Sequence, residues 1–124
     1  MPDTTLIIYK EEDGTVPLLN WLEGLSPKAR IKCIARIIRL KRQGHQLRRP
    51  EADYLRDDIY ELRVDLARMH YRMLYFFHGR TLAVLSHGLV KEGRVPPGEI
   101  DKAVVRKAAF AADPEAHTYR LELK

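Results

Sequence analysis

Three strand-like segments follow one another between residues 59 and 87, and the short connections between them restrict the fold more than any other feature. The first, at residues 59–64, alternates apolar or aromatic residues with charged ones. The second and third, at residues 70–77 and 81–87, are joined through a turn at Gly79. Residues 65–69 are predicted to connect the first two strands. Because connections of this length cannot cross over to make parallel pairs, the segments are predicted to form an antiparallel meander.

Helices and one further strand flank the meander in the sequence. Thr5–Tyr9 is short, apolar and β-branched, which is typical of a strand. Helices are predicted at about residues 15–24, at Pro27–Gln43 after a capping serine, and after the proline pair at 96 and 97. Residues 113–124 fit either an added short strand or a flexible end. This order predicts an α+β fold, with a small antiparallel sheet of mixed edge packed on an N-terminal helical hairpin and a C-terminal helix.

The helix at Pro27–Gln43 has an amphipathic pattern. Ile31, Ile34, Ala35 and Ile38 repeat at helical spacing, so they are predicted to form its buried face. Cys33 is the one cysteine of the chain and falls within this apolar run. It is predicted to be a buried structural thiol, because a free cysteine is more often buried than reactive.

Length and composition limit the class of protein. A chain of 124 residues with 45% apolar content is predicted to form one domain, residues 1–124. The five histidines are scattered and the lone cysteine has no partner, so no metal site, cofactor or disulfide is expected. Neither a signal peptide nor a membrane span is predicted, which favours a cytoplasmic protein.

The face of the second helix that is not apolar is strongly basic. The net charge of the chain is +5, and the basic residues between positions 28 and 49 occur without an acid among them. Such a face is commonly only solvated, but it could also bind RNA phosphates or dock an acidic partner segment. The candidate RNA-binding residues on this helix are Lys32, Arg36, Arg39 and Arg42.

Four polar residues of the meander are candidates for a catalytic site. Arg63 and Arg72 lie on strands predicted to be adjacent, and His87 and Lys91 lie at and beyond the end of the next strand. Cleavage of RNA without a metal requires groups that stabilise charge on the phosphate and groups that transfer protons, which are tasks for arginine and for histidine or lysine. An ion pair with Glu61 would equally explain Arg63, and a structural role would explain His87.

At this point the sequence resembles a known family. The pattern is similar to that of the phage-derived Gp49-like, HigB-type toxins of the RelE/ParE toxin–antitoxin superfamily, whose order of elements it also matches. The motifs that carry the resemblance are Tyr-Glu-Leu-Arg at 60–63, Tyr-Arg at 71–72, Gly-Arg at 79–80, His-Gly-Leu-Val-Lys at 87–91, and Pro-x-x-Glu-Ile at 96–100.

The resemblance implies a function and roles for single residues. It implies a ribosome-dependent mRNA endonuclease that cuts A-site codons by metal-independent attack of the 2′-hydroxyl group, and that a helix-turn-helix antitoxin silences. Arg63 and Arg72 match arginines that contact the scissile phosphate, and His87 and Lys91 match residues that border the site. Tyr71 matches a position where the ring stacks on a base or orients Arg72.

Two positions depart from the family pattern. Glu92 stands where a second lysine is usual, and Leu89 stands where an aromatic residue is usual. The change at Glu92 weakens phosphate binding at that loop, since it replaces a positive charge by a negative one. Two alternatives therefore remain open, a ParE-like inhibitor of DNA gyrase without nuclease activity and a catalytically degenerate toxin homologue.

Overall fold

The computed structural model describes residues 4–120, which form six strands and three helices. Two single turns of 3-10 helix, Gly44–Gln46 and Glu115–His117, complete the ordered elements. The strands and helices in chain order are β1 Thr5–Tyr9, α1 Pro17–Glu23, α2 Pro27–Gln43, β2 Ala52–Arg56, β3 Ile59–Leu66, β4 Met69–His78, β5 Leu82–Val90, α3 Pro97–Ala112 and β6 Thr118–Tyr119.

All six strands belong to one sheet with the order β2-β3-β4-β5-β1-β6. Strands β3, β4 and β5 pair antiparallel, which confirms the predicted meander. Strand β1 pairs parallel with β5, and β6 pairs antiparallel with β1. The sheet is therefore mixed at one side. Of the two interpretations of the tail, the structure gives a short strand at Thr118–Tyr119, and residues 121–124 lie outside the described part.

Strand β2 was not among the predicted elements. It pairs antiparallel with β3 through a two-residue turn, in which Asp57 and Asp58 both have positive φ angles, 51° and 63°. Aspartate tolerates this left-handed conformation better than most residues, so the Asp-Asp pair was the available signal. The turn between β3 and β4 is equally tight, at Ala67 and Arg68. The connection predicted at 65–69 is thus shorter than expected, and both strands extend into it.

The sheet has a core on each face. Helices α1 and α2 cover one face, where Leu62 and Tyr75 pack against Leu18 and Ile37. Helix α3 covers part of the other face, where Leu74 and Phe76 pack near Phe110. Successive strand residues alternate between these two cores, as the pleat of a strand requires. The chain is therefore α+β, with a helical hairpin on one side of the sheet and the last helix on the other.

The predicted buried face of α2 is wrong. Its buried residues are Ala29, Cys33, Ile37 and Leu40, whereas Ile31 is 68% exposed. Both sets have helical spacing, so periodicity alone could not choose between them. The small side chains of Ala29 and Cys33 allow the helix to approach the sheet closely, and packing decides the phase.

The prediction for Cys33 is confirmed. The residue is buried, and this burial raises the pKa of its thiol to about 11. Among residues 4–120, no helix is both long enough and apolar enough to cross a bilayer.

Candidate functional site

A cleft of about 850 Å³ opens on the face of the sheet that carries α3, beyond the part that this helix covers. One wall is the hairpin of β2 and β3 with the start of β4, and the other is the loop from β5 into α3. Its lining contains five cationic residues and only two carboxylates, together with several apolar residues. The charged residues are Asp53, Arg56, Glu61, Arg63, Arg72, Lys91 and Arg94.

The two strand arginines meet in this cleft as predicted from the sequence. Arg63 on β3 is directly opposite Arg72 on β4, so both side chains project from the same face. Glu61 lies between them, with Oε1 3.0 Å from Nη1 of Arg72 and Oε2 3.1 Å from Nη2 of Arg63. Glu61 is only 1% exposed, and a buried carboxylate is stable only when such partners compensate its lost hydration. The ion pair that the sequence left open for Arg63 is therefore present.

A second carboxylate extends this network to the surface. Asp53 on β2 lies 3.2 Å from Nη2 of Arg63 and 3.0 Å from Nη2 of Arg49. The hydrogen bond from Arg49, rather than Arg63, contributes most to holding the pKa of Asp53 below its ordinary value. Arg63 therefore contacts two carboxylates and Arg72 one. The guanidinium groups are held in place, but much of their charge is balanced.

The remaining positive charge of the cleft comes from its loop wall. Lys91 and Arg94 are both exposed, and within residues 4–120 neither forms a salt bridge. The Nε atom of Arg72 is buried and has no hydrogen-bond partner among the described residues. A buried donor without a partner is costly, so a ligand oxygen that reached it would relieve this cost. The site therefore favours an anion between Arg72 and the loop.

His87 does not reach this cleft, although it was predicted to border the site. It is opposite Leu74 on β4, two positions along the strand from Arg72, and Leu74 belongs to the core beneath α3. The residue is 6% exposed, and its ring lies between two residues of α3, Glu99 and Arg106. The structure thus brings together Arg63, Arg72 and Lys91 but not His87.

The hydrogen bonds of His87 define its protonation state. Arg106 Nη1 lies 3.0 Å from Nδ1, and a guanidinium group can only donate, so Nδ1 accepts. Ser86 Oγ lies 2.7 Å from the same nitrogen, and Nε2 donates to Glu99 Oε1 at 3.2 Å. Burial, reinforced by Arg106, lowers the pKa of His87 to about 4. The ring is therefore neutral near pH 7, which fits the structural role left open from the sequence.

Tyr71 lies on the opposite face of the sheet from Arg72. It is 8% exposed and contacts the ring of Trp21 edge to face, with centroids 6.2 Å apart. Adjacent strand residues point to opposite faces, so Tyr71 cannot stack beside Arg72 or orient it. The expectation drawn from the resemblance is corrected on this point.

The basic residues of α2 lie away from the cleft, and two of them are paired. Arg36 donates to the backbone carbonyl of Arg63 and lies 3.7 Å from Glu51. Arg39 binds the same carboxylate at 2.6 Å. Lys32 and Arg42 take no part in salt bridges among residues 4–120. Glu51, the first acidic residue after the basic run, thus neutralises part of the charge of Arg36 and Arg39 at the centre of that run.

Sequence reasoning missed three residues of the cleft, Asp53, Arg56 and Arg94. Two of them lie on β2, which was not predicted, and Arg94 lies in the glycine-containing loop beyond the recognised Lys91. Arg56 is bound by Asp57 and Asp101 at 2.6 and 2.7 Å, which ties the β2 hairpin to α3. In the part of the chain that is described, no three histidine, cysteine or acidic side chains are grouped so that they could hold a metal ion.

Comparison with known families adds the decisive observation. The family model "Phage derived protein Gp49-like (DUF891)" matches residues 20–108, most of the chain and every charged residue of the cleft. The chain belongs to the Gp49-like family. Gp49-like proteins are in the RelE/HigB-type toxin family, so membership indicates a toxin of a toxin–antitoxin system with an antitoxin partner. Among curated proteins, none matches the sequence significantly.

Proposed function

We propose that this Gp49-like protein is a cytoplasmic, ribosome-dependent mRNA endonuclease that cuts A-site codons without a metal ion. In this proposal the chain is one toxin domain of the RelE/ParE type, silenced by a helix-turn-helix antitoxin. The observation that carries the proposal is the cleft, where Arg63 and Arg72 face Lys91 and Arg94, which have no salt-bridge partner among residues 4–120, across a space large enough for a nucleotide.

The proposed reaction uses the 2′-hydroxyl group of the RNA as the nucleophile. Its oxygen forms a bond to the adjacent phosphorus, the bond to the 5′-oxygen breaks, and a 2′,3′-cyclic phosphate remains. One proton passes from the 2′-hydroxyl group to solvent water and one reaches the departing oxygen, so the reaction needs no reactant other than water. Arg72 and Arg63 stabilise the charge that develops on the phosphate. Lys91 is exposed at the mouth of the cleft and is assigned to the leaving oxygen.

The carboxylates of the cleft suggest why free RNA would be a poor substrate. Asp53 and Glu61 already occupy the guanidinium groups, so a phosphate must compete with them. A ribosome that holds the codon in place would supply the required orientation, which is one of the largest contributions to catalysis. His87 lies outside the cleft and supports it indirectly, through its hydrogen bond to Glu99 at the start of α3.

The same pairing favours a second candidate function. Glu61 binds both strand arginines, so much of their charge is balanced. His87 is buried and neutral, so the cleft lacks the exposed histidine expected of a general acid or base. A ParE-like inhibitor of DNA gyrase, or a homologue that binds its antitoxin without cutting RNA, would not need one.

The test is a reconstituted translation reaction in which new mRNA 5′ ends are mapped by primer extension. Wild-type protein is expected to cut within A-site codons only when ribosomes are present. Arg72→Ala should lower the cleavage rate by roughly 100- to 1000-fold, since it removes one preorganised charge from the transition state. Arg80→Ala is the matched control, because Arg80 is an exposed arginine in a turn outside the cleft.

Thermal melting of each variant separates lost chemistry from lost folding. Folded Arg72→Ala protein that still cuts at the wild-type rate would contradict the proposed site. Folded wild-type protein that cuts no mRNA, but inhibits supercoiling by DNA gyrase, would establish the second candidate instead.

A further inference from the structure

A second groove, of about 490 Å³, lies beside the cleft at the β2 edge of the sheet. It shares Asp53 and Tyr54 with the cleft, so the two cavities are neighbours across a single strand. Its lining combines two tyrosine rings with two arginines, and none of these is used by the proposed chemistry. The lining residues are Leu47, Arg48, Arg49, Ala52, Asp53, Tyr54 and Tyr60.

The aromatic wall of this groove is rigid and partly open. Tyr54 is directly opposite Tyr60 on β3, and their rings meet edge to face with centroids 5.2 Å apart. Tyr60 stacks in turn on the buried Tyr75 at 5.4 Å. The Tyr54 hydroxyl group accepts a hydrogen bond from the backbone N–H of Asp58, which fixes the ring. Tyr54 nevertheless remains 50% exposed, so a planar group can pack against it.

The cationic wall is made by two successive arginines. Arg49 is 75% exposed at its side chain, and it binds Asp53 at 3.0 Å. Arg48 is exposed and donates to the backbone carbonyl of His45, but no carboxylate pairs with it in the described residues. Asp53 therefore connects Arg49 in the groove with Arg63 in the cleft. The two sites are therefore adjacent across the edge strand, and each carries arginines that are linked through the Asp53 carboxylate.

An exposed aromatic ring beside arginines is the combination that binds single-stranded nucleic acid. The ring stacks on a base of any identity, and the guanidinium groups bind the phosphates on either side. A protein strand added to the edge of β2 is the competing occupant. It is disfavoured because the register of β2 shifts between Tyr54 and Arg56, and such an irregularity interrupts the ladder that a new strand would extend.

We infer that this groove binds a nucleotide of single-stranded RNA next to the nucleotide in the cleft. Tyr54 stacks on the base, and Arg48 and Arg49 bind its phosphates. The inference rests on the proposed function for the identity of the substrate, but it concerns binding and not cleavage. In this arrangement the RNA crosses the edge strand β2 to enter the cleft.

The experiment measures binding of a fluorescently labelled hexanucleotide RNA to the whole protein at low salt, without ribosomes. Tyr54→Ala is expected to weaken binding roughly 5- to 160-fold, which corresponds to the loss of one base–aromatic stacking contact. Tyr54→Phe keeps the ring and should bind within about twofold of wild type. Tyr119→Phe and Tyr119→Ala are the matched controls, since Tyr119 lies on β6 at the opposite edge of the sheet.

An RNA with abasic positions identifies the contact. If Tyr54 stacks on a base, the abasic RNA should bind wild type and Tyr54→Ala almost equally. The inference is overturned if wild type binds no single-stranded RNA, or if Tyr54→Ala binds the normal RNA as wild type does. It is also overturned if Tyr54→Ala impairs only antitoxin binding, because the groove would then hold a protein.

The outcome is separable from that of the cleavage test. Binding that depends on Tyr54 without ribosome-dependent cleavage would support the groove and refute the endonuclease. Cleavage that depends on Arg72, together with RNA binding that does not depend on Tyr54, would support the endonuclease and refute the groove.

Discussion

At the scale of single residues, the site is organised by the buried carboxylate of Glu61. Its two oxygens bind one arginine each, so the register of β3 and β4 fixes the spacing of the two guanidinium groups. The sequence showed which arginines would be neighbours, because strand alternation is local. It could not show that Glu61 would be buried, because that depends on how far α3 and the β2 hairpin cover the sheet.

His87 gives a prediction about pH. The folded protein holds the pKa of His87 at about 4, below its ordinary 6.5, because the ring is buried beside Arg106. The unfolded chain therefore takes up the proton first, so the contribution of His87 to stability is complete above about pH 6.5 and is lost as the pH falls towards 4. Between about pH 7.5 and about pH 5 we expect a loss of roughly 2 kcal/mol from this residue.

The measurement is urea unfolding of wild type and His87→Gln at both pH values. Other groups titrate in the same range, so the informative quantity is the difference between the two proteins. Wild type should lose more stability than the variant by the amount stated. Equal losses would mean that His87 is not held neutral by the fold.

At the scale of elements, the predictions succeeded where the pattern was local. The meander, the capped start of α2 and the proline start of α3 each follow from neighbouring residues. Which face of α2 is buried did not follow from neighbouring residues, because the apolar residues of this helix occupy two helical stripes. Only packing on the sheet selects the stripe with Ala29 and Cys33. Strand β2 was missed for a similar reason, since its alternation is weak and it is stabilised by pairing with β3.

A substitution at Gly88 tests how closely α1 packs on the sheet. A Cβ atom added at Gly88 would lie 2.1 to 2.5 Å from three atoms of the Trp21 ring, which is closer than carbon atoms can approach. The indole is stiff and partly buried, so Gly88→Ala should displace it and destabilise the protein by roughly 1 to 3 kcal/mol. Chemical denaturation followed by the fluorescence of Trp21 measures both effects.

Gly98→Ala is the matched control for this substitution. Gly98 lies in the first turn of α3, and an added Cβ atom would meet nothing within 4 Å. Alanine is favoured over glycine in a helix by roughly 0.5 to 1 kcal/mol, so the control should be neutral or slightly stabilised. A Gly88→Ala protein as stable as this control would contradict the close packing of α1 on β5.

At the scale of the whole molecule, the sheet is completed by contacts between distant parts of the chain. The first strand inserts between β5 and the last strand, so β1 pairs with residues 77 positions away in sequence. No local pattern specifies such a pairing. Cations that are scattered in sequence likewise come together in the folded chain, in the cleft, in the groove beside it and on the outer face of α2.

The last prediction distinguishes the cleft from the outer face of α2 by the salt dependence of RNA binding. Lys91→Gln with Arg94→Gln, and Lys32→Gln with Arg42→Gln, each remove two positive charges that have no salt-bridge partner within residues 4–120. If single-stranded RNA occupies the cleft, the first double variant should reduce the slope of log K against log salt by about 1.4, while the second leaves it unchanged. Fluorescence titrations at several salt concentrations provide the slopes. Equal reductions would instead assign the attraction to the field of the whole basic molecule, and a reduction confined to the second variant would make α2 the RNA-binding face.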